Sequence, residues 1–204
     1  MLLENRPVLI LASASPRRQE LLREAGIPFE VHAANINEEQ IAGETPLEYA
    51  QRLSREKAEA VAAIYPGRYV LGADTIVVVN GEGPGKAEIL GKPKDQADAV
   101  RMLRLLSGRG HEVTTAVSLV VPGAHAETRA FVTKTSTTRV WFRHLSENEI
   151  QYYVASGEPM DKAGAYAIQG GASLWANRIE GEYSSVVGLP LSVVTEMLRA
   201  YNFR

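Results

Sequence analysis

The stretch VLILASASPRR, residues 8–18, decides how this chain is read. Val8 to Leu11 form an apolar run that reads as a buried strand, and a helical pattern begins directly behind it. Ser15 suits the N-cap, and Pro16 suits the first helical position, where its missing N–H costs nothing. The helix from Arg17 to Ala25 then stops at Gly26. A strand feeding straight into a helix is the opening of an α/β unit. It leaves backbone N–H groups, the helix dipole, the Ser13 and Ser15 hydroxyls and the Arg17 and Arg18 guanidiniums facing outward as an anion site. The alternative is a capped helix with two solvated arginines.

Working outward, strand and helix signals alternate. Ile27 to Ala33 is a predicted second strand, followed by a polar loop from Asn35 to Glu44. Thr45, Pro46 and Glu48 make a capping-box start for a helix that runs to about Tyr65. Tyr69 to Ala73 is an apolar strand that delivers Asp74 and Thr75 at its end. Ile76 to Val79 lead on into a glycine-rich turn at Asn80 to Gly85, and Gly91-Lys92-Pro93 follows. A helix is expected from Asp95 to Leu106. Glu112 to Val121 and Arg129 to Arg143 alternate like paired antiparallel strands, so the sheet should be mixed. Ser146 and Glu149 cap another helix. Asp161 to Gly171 reads as a loop and short strand, Ser173 to Ile179 with Tyr183 to Val187 as a hairpin around Glu180-Gly181-Glu182, and Pro190 to Ala200 as a closing helix. With no internal repeat and no long linker, the expectation is one domain over 1–204 with two lobes: an α/β base and a central antiparallel lobe.

Composition narrows the function. The chain has 204 residues, enough for a sizeable core, and a formal net charge of −2. That balance argues against a nucleic-acid coat or a polybasic membrane binder, so any anion must be held by local cations. The sequence contains no cysteine, which excludes disulfides and thiol catalysis and is compatible with a reducing cytosol. Neither a signal peptide nor a membrane span is expected. One polar-rimmed apolar face would allow a homodimer.

A handful of side chains carry chemistry. Asp74, at the end of an apolar strand, is costly unless used or paired, and strand ends are where open α/β sheets hold ligands; the plainer reading is a turn cap. Lys57 falls on one helical stripe with Leu53, Val61 and Ile64, which puts it on the inner face unless it snorkels to the rim, whereas Arg52, Arg55 and Glu56 read as surface charge. Lys92 is pinned between Gly and Pro. Glu38 or Glu39, with Asp74, could hold a hard divalent cation through oxygen. Gln169 ends a short apolar strand, where its amide could meet the edge of a base. His32, His111, His125 and His144 lack metal-ligand spacing, and no nucleophile elbow, Walker A sequence or dinucleotide fingerprint is present.

Taken together, ASASPRRQELL at 12–22, Glu38, Arg52-Leu53 with Glu56-Lys57-Ala58, GADTIV at 72–77, GKP at 91–93, LSGRGHEVTTAV from 107, DKAGAYAIQG at 161–170 and VVGLPL at 186–191 resemble the Maf family of nucleoside triphosphate pyrophosphatases along almost the whole chain. The resemblance implies an elongated Maf/inosine-triphosphatase-like fold with a cleft, and cytoplasmic hydrolysis of a nucleotide to its monophosphate and pyrophosphate with Mg2+ or Mn2+. It makes Asp74 the proton acceptor and Ser13, Arg17, Arg18, Glu38, Lys57 and Lys92 polar residues of the phosphate and metal cleft. Joined to the anion site and the oxygen-donor pair read above, Ser15 is a further expected substrate-binding position, and Glu38 and Asp74 are the expected metal positions. Arg17, Thr75 and Gln169 match the positions that separate the dTTP/UTP branch from the 7-methyl-GTP branch, and here they read as the pyrimidine type. GKP is preceded by Leu90 after an extended GEGPGKAEI insertion, where the family has a shorter turn. A nucleotide-binding regulator of cell division or septation, using the same groups without turnover, is the rival reading.

Overall fold

Alternating strands and helices run through the computed structural model, which describes residues 7–80, 87–123 and 129–203. In chain order they are β1 (Leu9–Leu11), α1 (Pro16–Glu24), β2 (Phe29–Val31), α2 (Pro46–Ala62), β3 (Val70–Asn80), β4 (Ala87–Leu90), α3 (Gln96–Leu106), β5 (Gly110–Pro122), β6 (Arg129–Phe142), α4 (Glu147–Ala155), β7 (Ala176–Glu180), α5 (Tyr183–Val187) and α6 (Leu191–Ala200). The sheet is mixed, with strand order β2-β1-β3-β5-β6-β7 and β4 added to β3. Both β2 and β3 lie parallel to β1, while β4 runs antiparallel to β3. Hydrogen-bonded side-chain pairs Glu112–Arg139, Thr114–Thr137 and Ser118–Thr133 follow one descending register, as an antiparallel β5–β6 pair requires.

Local chemistry explains the helix starts. Ser15 caps α1 with Pro16 inside it, and α2 and α4 open on complete capping boxes, Thr45 with Glu48 and Ser146 with Glu149. Gly26 ends the first helical segment at φ 65°.

Two compact units divide the chain. The first comprises Met1–Asp74, Thr115–Ser136 and Gly188–Arg204. Within it α2 lays Ala58, Val61 and Ala62 on Ile10, Val70 and Val120. The approach is close because of Gly72: a Cβ there would sit 2.2 Å from the Ser54 carbonyl oxygen and 2.7 Å from the Ala58 nitrogen. The second unit comprises Thr75–Thr114 and Thr137–Val187. Its core includes an edge-to-face ring cluster of His111, Phe142, Tyr153, Tyr166 and Trp175.

Several sequence expectations need correction. Asp74 lies inside the continuous eleven-residue β3, with Gly72–Ile76 between the residues paired to β1 and those paired to β4. Residues 161–171 contain no strand: short 3-10 turns at Glu158–Asp161, Ala163–Ala165 and Gly171–Leu174 carry the chain, since positive φ at Gly164 and Ala165 breaks an extended path, and Gln169 stands exposed in a turn. The expected hairpin is absent. β7 pairs with β6 instead, Gly181 turns at φ 126°, and Thr138 pins the turn by donating to the Glu182 carbonyl (3.1 Å) while accepting from its N–H (3.0 Å). Residues 183–187 then fold as α5. Because α2 ends at Ala62, Ile64 falls off the buried stripe and is 57% exposed. The glycine-rich turn at 81–85 and His125 lie outside the described residues, and the tail of the insertion at 87–89 is part of β4.

Candidate active site

The parallel ladder of β1 on β3 ends with Ala12 N–H donating to the Leu71 carbonyl at 2.8 Å, because the chain then turns into α1. The next carbonyl on that edge of β3, Ala73, is taken by Arg18 Nη1 at 2.8 Å. The same guanidinium donates through Nη1 to Ser13 Oγ (3.1 Å) and through Nε to the Gly188 carbonyl (2.8 Å). Ser13 Oγ also accepts from the Ser15 N–H at 3.3 Å, and Ser15 Oγ from the Arg18 N–H at 3.5 Å. Arg18 therefore builds the wall beside Asp74 as well as supplying charge. Burial lowers its pKa, and the Asp74 charge opposes that fall.

Asp74 is buried and Lys57 matches it. Lys57 Nζ donates to Asp74 Oδ1 at 2.7 Å, and the same ammonium lies 2.8 Å from Glu38 Oε1. The snorkelling alternative for Lys57 is thereby set aside, since its side chain is only 10% exposed. Burial pushes the Asp74 carboxyl above its ordinary range, against the opposing pull of Lys57 and Arg18. Asp74 of β3 and Glu38 of the loop after β2 thus meet at one ammonium from α2, with the Arg18 guanidinium of α1 on the neighbouring Ala73 carbonyl. Arg17 is partly buried next to Arg18 on α1.

The remaining expected positions belong to the second unit. Thr75 is partly buried on β3, Lys92 is exposed after β4, and Gln169 is exposed. Asp161 and Lys162 form an ion pair, and Lys162 also donates to the Glu158 carbonyl at 3.0 Å.

Sequence reasoning missed three contributors. Arg52, read as surface charge, binds Glu44 through Nε (2.5 Å) and Nη2 (3.0 Å) and donates to the Glu39 carbonyl (2.9 Å). Tyr49 Oη donates to the Glu38 carbonyl at 2.7 Å. Gly72 lets α2 approach β3. Only the i, i+3 spacing of Tyr49 and Arg52 hinted that they share a face.

Asp74 and Glu38, whose carboxylates both meet the Lys57 ammonium, are the oxygen donors that could hold a hard divalent cation such as Mg2+ or Mn2+, with water and phosphate oxygens completing its shell. Among the described residues no group of three or more His, Cys, Asp or Glu could hold a metal by itself. No described helix is long and apolar enough to cross a membrane.

Fold and site define a mixed α/β protein with a buried acid set among clustered cations. Residues 8–201 match the family described as Maf-like protein. A protein of Koribacter versatilis named dTTP/UTP pyrophosphatase is 54% identical over 191 residues, covering 94% of this chain and 93% of its own. One of the same name from Geobacter sulfurreducens is also 54% identical, with 94% and 95% covered. The chain belongs to the Maf-like family. Among solved structures, the Ham1 protein of Staphylococcus aureus aligns at a TM-score of 0.45 and 16% identity, covering 94% of this chain and 98% of that one.

Proposed function

We propose that this chain hydrolyses dTTP and UTP to the monophosphate and pyrophosphate, with water attacking the α-phosphorus. The observation that carries the reading is the convergence of Lys57 on Asp74 and Glu38 beside Arg18. In this scheme Asp74 accepts a proton from the attacking water as the new P–O bond forms, and the α–β bridging oxygen departs with the pyrophosphate. Charge develops on that leaving group, and Arg17, Arg18, Lys57 and Lys92 are the cations assigned to it, with the Ser13 and Ser15 hydroxyls as additional donors. Asp74 and Glu38 would hold the divalent metal, whose contribution is charge neutralisation and orientation of the triphosphate. Support for the substrate comes from relatives at about half identity named for it. The family resemblance further assigns base choice to Arg17, Thr75 and Gln169, a single two-lobed domain, and a cytoplasmic setting. The wrong base would leave those hydrogen-bonding groups unpaired.

Pyrophosphate release from a panel of nucleoside triphosphates with Mg2+ or Mn2+ tests the reading. dTTP, UTP and some modified pyrimidine triphosphates should turn over well ahead of CTP and the purines. Comparable turnover of 7-methyl-GTP would overturn the substrate assignment, and tight nucleotide binding without release would favour the regulator.

A further inference from the structure

Glu38 stands on an irregular exposed segment, residues 32–41. A ligand on such a segment starts at a disadvantage, because ordering its backbone costs conformational entropy. In this chain one face of α2 removes that freedom. Tyr49 Oη holds the Glu38 carbonyl (2.7 Å), and three residues along the helix Arg52 Nη2 holds the next carbonyl, Glu39 (2.9 Å). Arg52 also grips Glu44 with both arms of its fork, at 2.5 and 3.0 Å, and Glu44 in turn accepts from the Ile41 N–H at 2.9 Å. The Arg52–Glu44 pair is well covered, with side-chain exposures of 19% and 13%. The guanidinium lies 5.6 Å from the centre of the Tyr49 ring, so the two helix residues brace each other. Further along the same helix, Lys57 receives the Glu38 carboxylate itself at 2.8 Å. Backbone, side chain and the far end of the loop are all read by a single helix.

We infer that Tyr49 and Arg52 are positioning residues for Glu38, holding its loop so that the carboxylate meets Asp74 at the divalent cation. This rests on the metal reading given under Proposed function. Both hold the loop backbone rather than the Glu38 carboxylate, so each acts through Glu38. A lysine at position 52 keeps the charge but lacks the planar fork that takes Glu44 and the Glu39 carbonyl together.

The test is a set of Mn2+ titrations of the free protein followed by electron paramagnetic resonance, with the half-saturating Mn2+ for turnover measured alongside. Tyr49→Phe and Arg52→Lys should each weaken Mn2+ binding by about tenfold, the usual effect of removing a partner that orients a ligand. Amide exchange at 35–44 should accelerate. Glu38→Gln should weaken Mn2+ comparably, and the double variant Glu38→Gln/Arg52→Lys should be no weaker than Glu38→Gln alone, because a residue acting only through Glu38 has nothing left to position. Unchanged Mn2+ binding in Arg52→Lys, or the same added loss in the Glu38→Gln background, overturns the inference and leaves the metal reading standing. Unchanged Mn2+ binding in Glu38→Gln overturns the metal reading and the inference together.

Discussion

Asp74 and Lys57 show why a buried charge pair is a mixed blessing for one residue. Burial makes the carboxylate expensive, and only the ammonium at 2.7 Å and the neighbouring guanidinium offset that cost. Replacing one member should expose it. Lys57→Met, which leaves Asp74 and Glu38 facing each other without their cation, is expected to lose about 3 kcal/mol in urea denaturation. Added Mn2+ should then recover more stability in this variant than in the parent, since a divalent ion meets the same two carboxylates. Asp74→Asn keeps the shape and removes the proton acceptor, so turnover should fall by about a thousandfold in the pyrophosphate-release assay. An Asn variant with undiminished turnover would show the role belongs elsewhere. At this scale the sequence was informative about residue types: an acid in an apolar strand and a lysine on an apolar helical stripe both stood out. It could not show that they were each other's partner, nor that the Arg18 guanidinium spends three hydrogen bonds on Ser13, Ala73 and Gly188.

The close packing of α2 on β3 is what brings those partners together. Gly72 is the contact point, and its lack of a side chain lets the Ser54 and Ala58 backbone come near enough for Lys57 to reach Asp74. Gly72→Ala should push α2 away and cost about 3 kcal/mol, at the upper end for overpacking, while turnover falls with it. Thermal melts and pyrophosphate release on the same variant check both. Retained activity with lost stability would separate packing from positioning. The start of α2 was legible in advance, because Thr45, Pro46 and Glu48 satisfy orphan N–H groups locally. Its end was placed too late and its polar face misread. Arg52 looks like solvated charge until the loop after β2 folds back to offer Glu44 and the Glu39 carbonyl. The failed hairpin at 173–187 has the same origin. Alternation in the sequence marks a strand, but Thr138 on β6 decides where β7 pairs and where the chain turns.

At the scale of the whole molecule, His111 is one acid-sensitive element. Its ring packs against Phe142 and Tyr166, with Nε2 at 2.9 Å from the Tyr166 hydroxyl, and burial lowers its pKa from 6.5 to about 4. The unfolded chain takes up a proton near pH 6.5 that the folded chain refuses until about pH 4. Stability from this group is therefore complete above about pH 6.5 and declines as the pH falls, by about 3 kcal/mol at pH 4. His111→Phe should flatten that limb in denaturation at a series of pH values; an unchanged limb would assign acid sensitivity to other groups. What the sequence determined by itself was everything governed by neighbours along the chain: the capped helix starts, the alternating strands, the α/β class and the family blocks. What only the tertiary structure decided was partnership, because Arg18 meets Gly188 across 170 residues and Lys57 meets Asp74 across 17, and such distances are closed by packing rather than by local propensity.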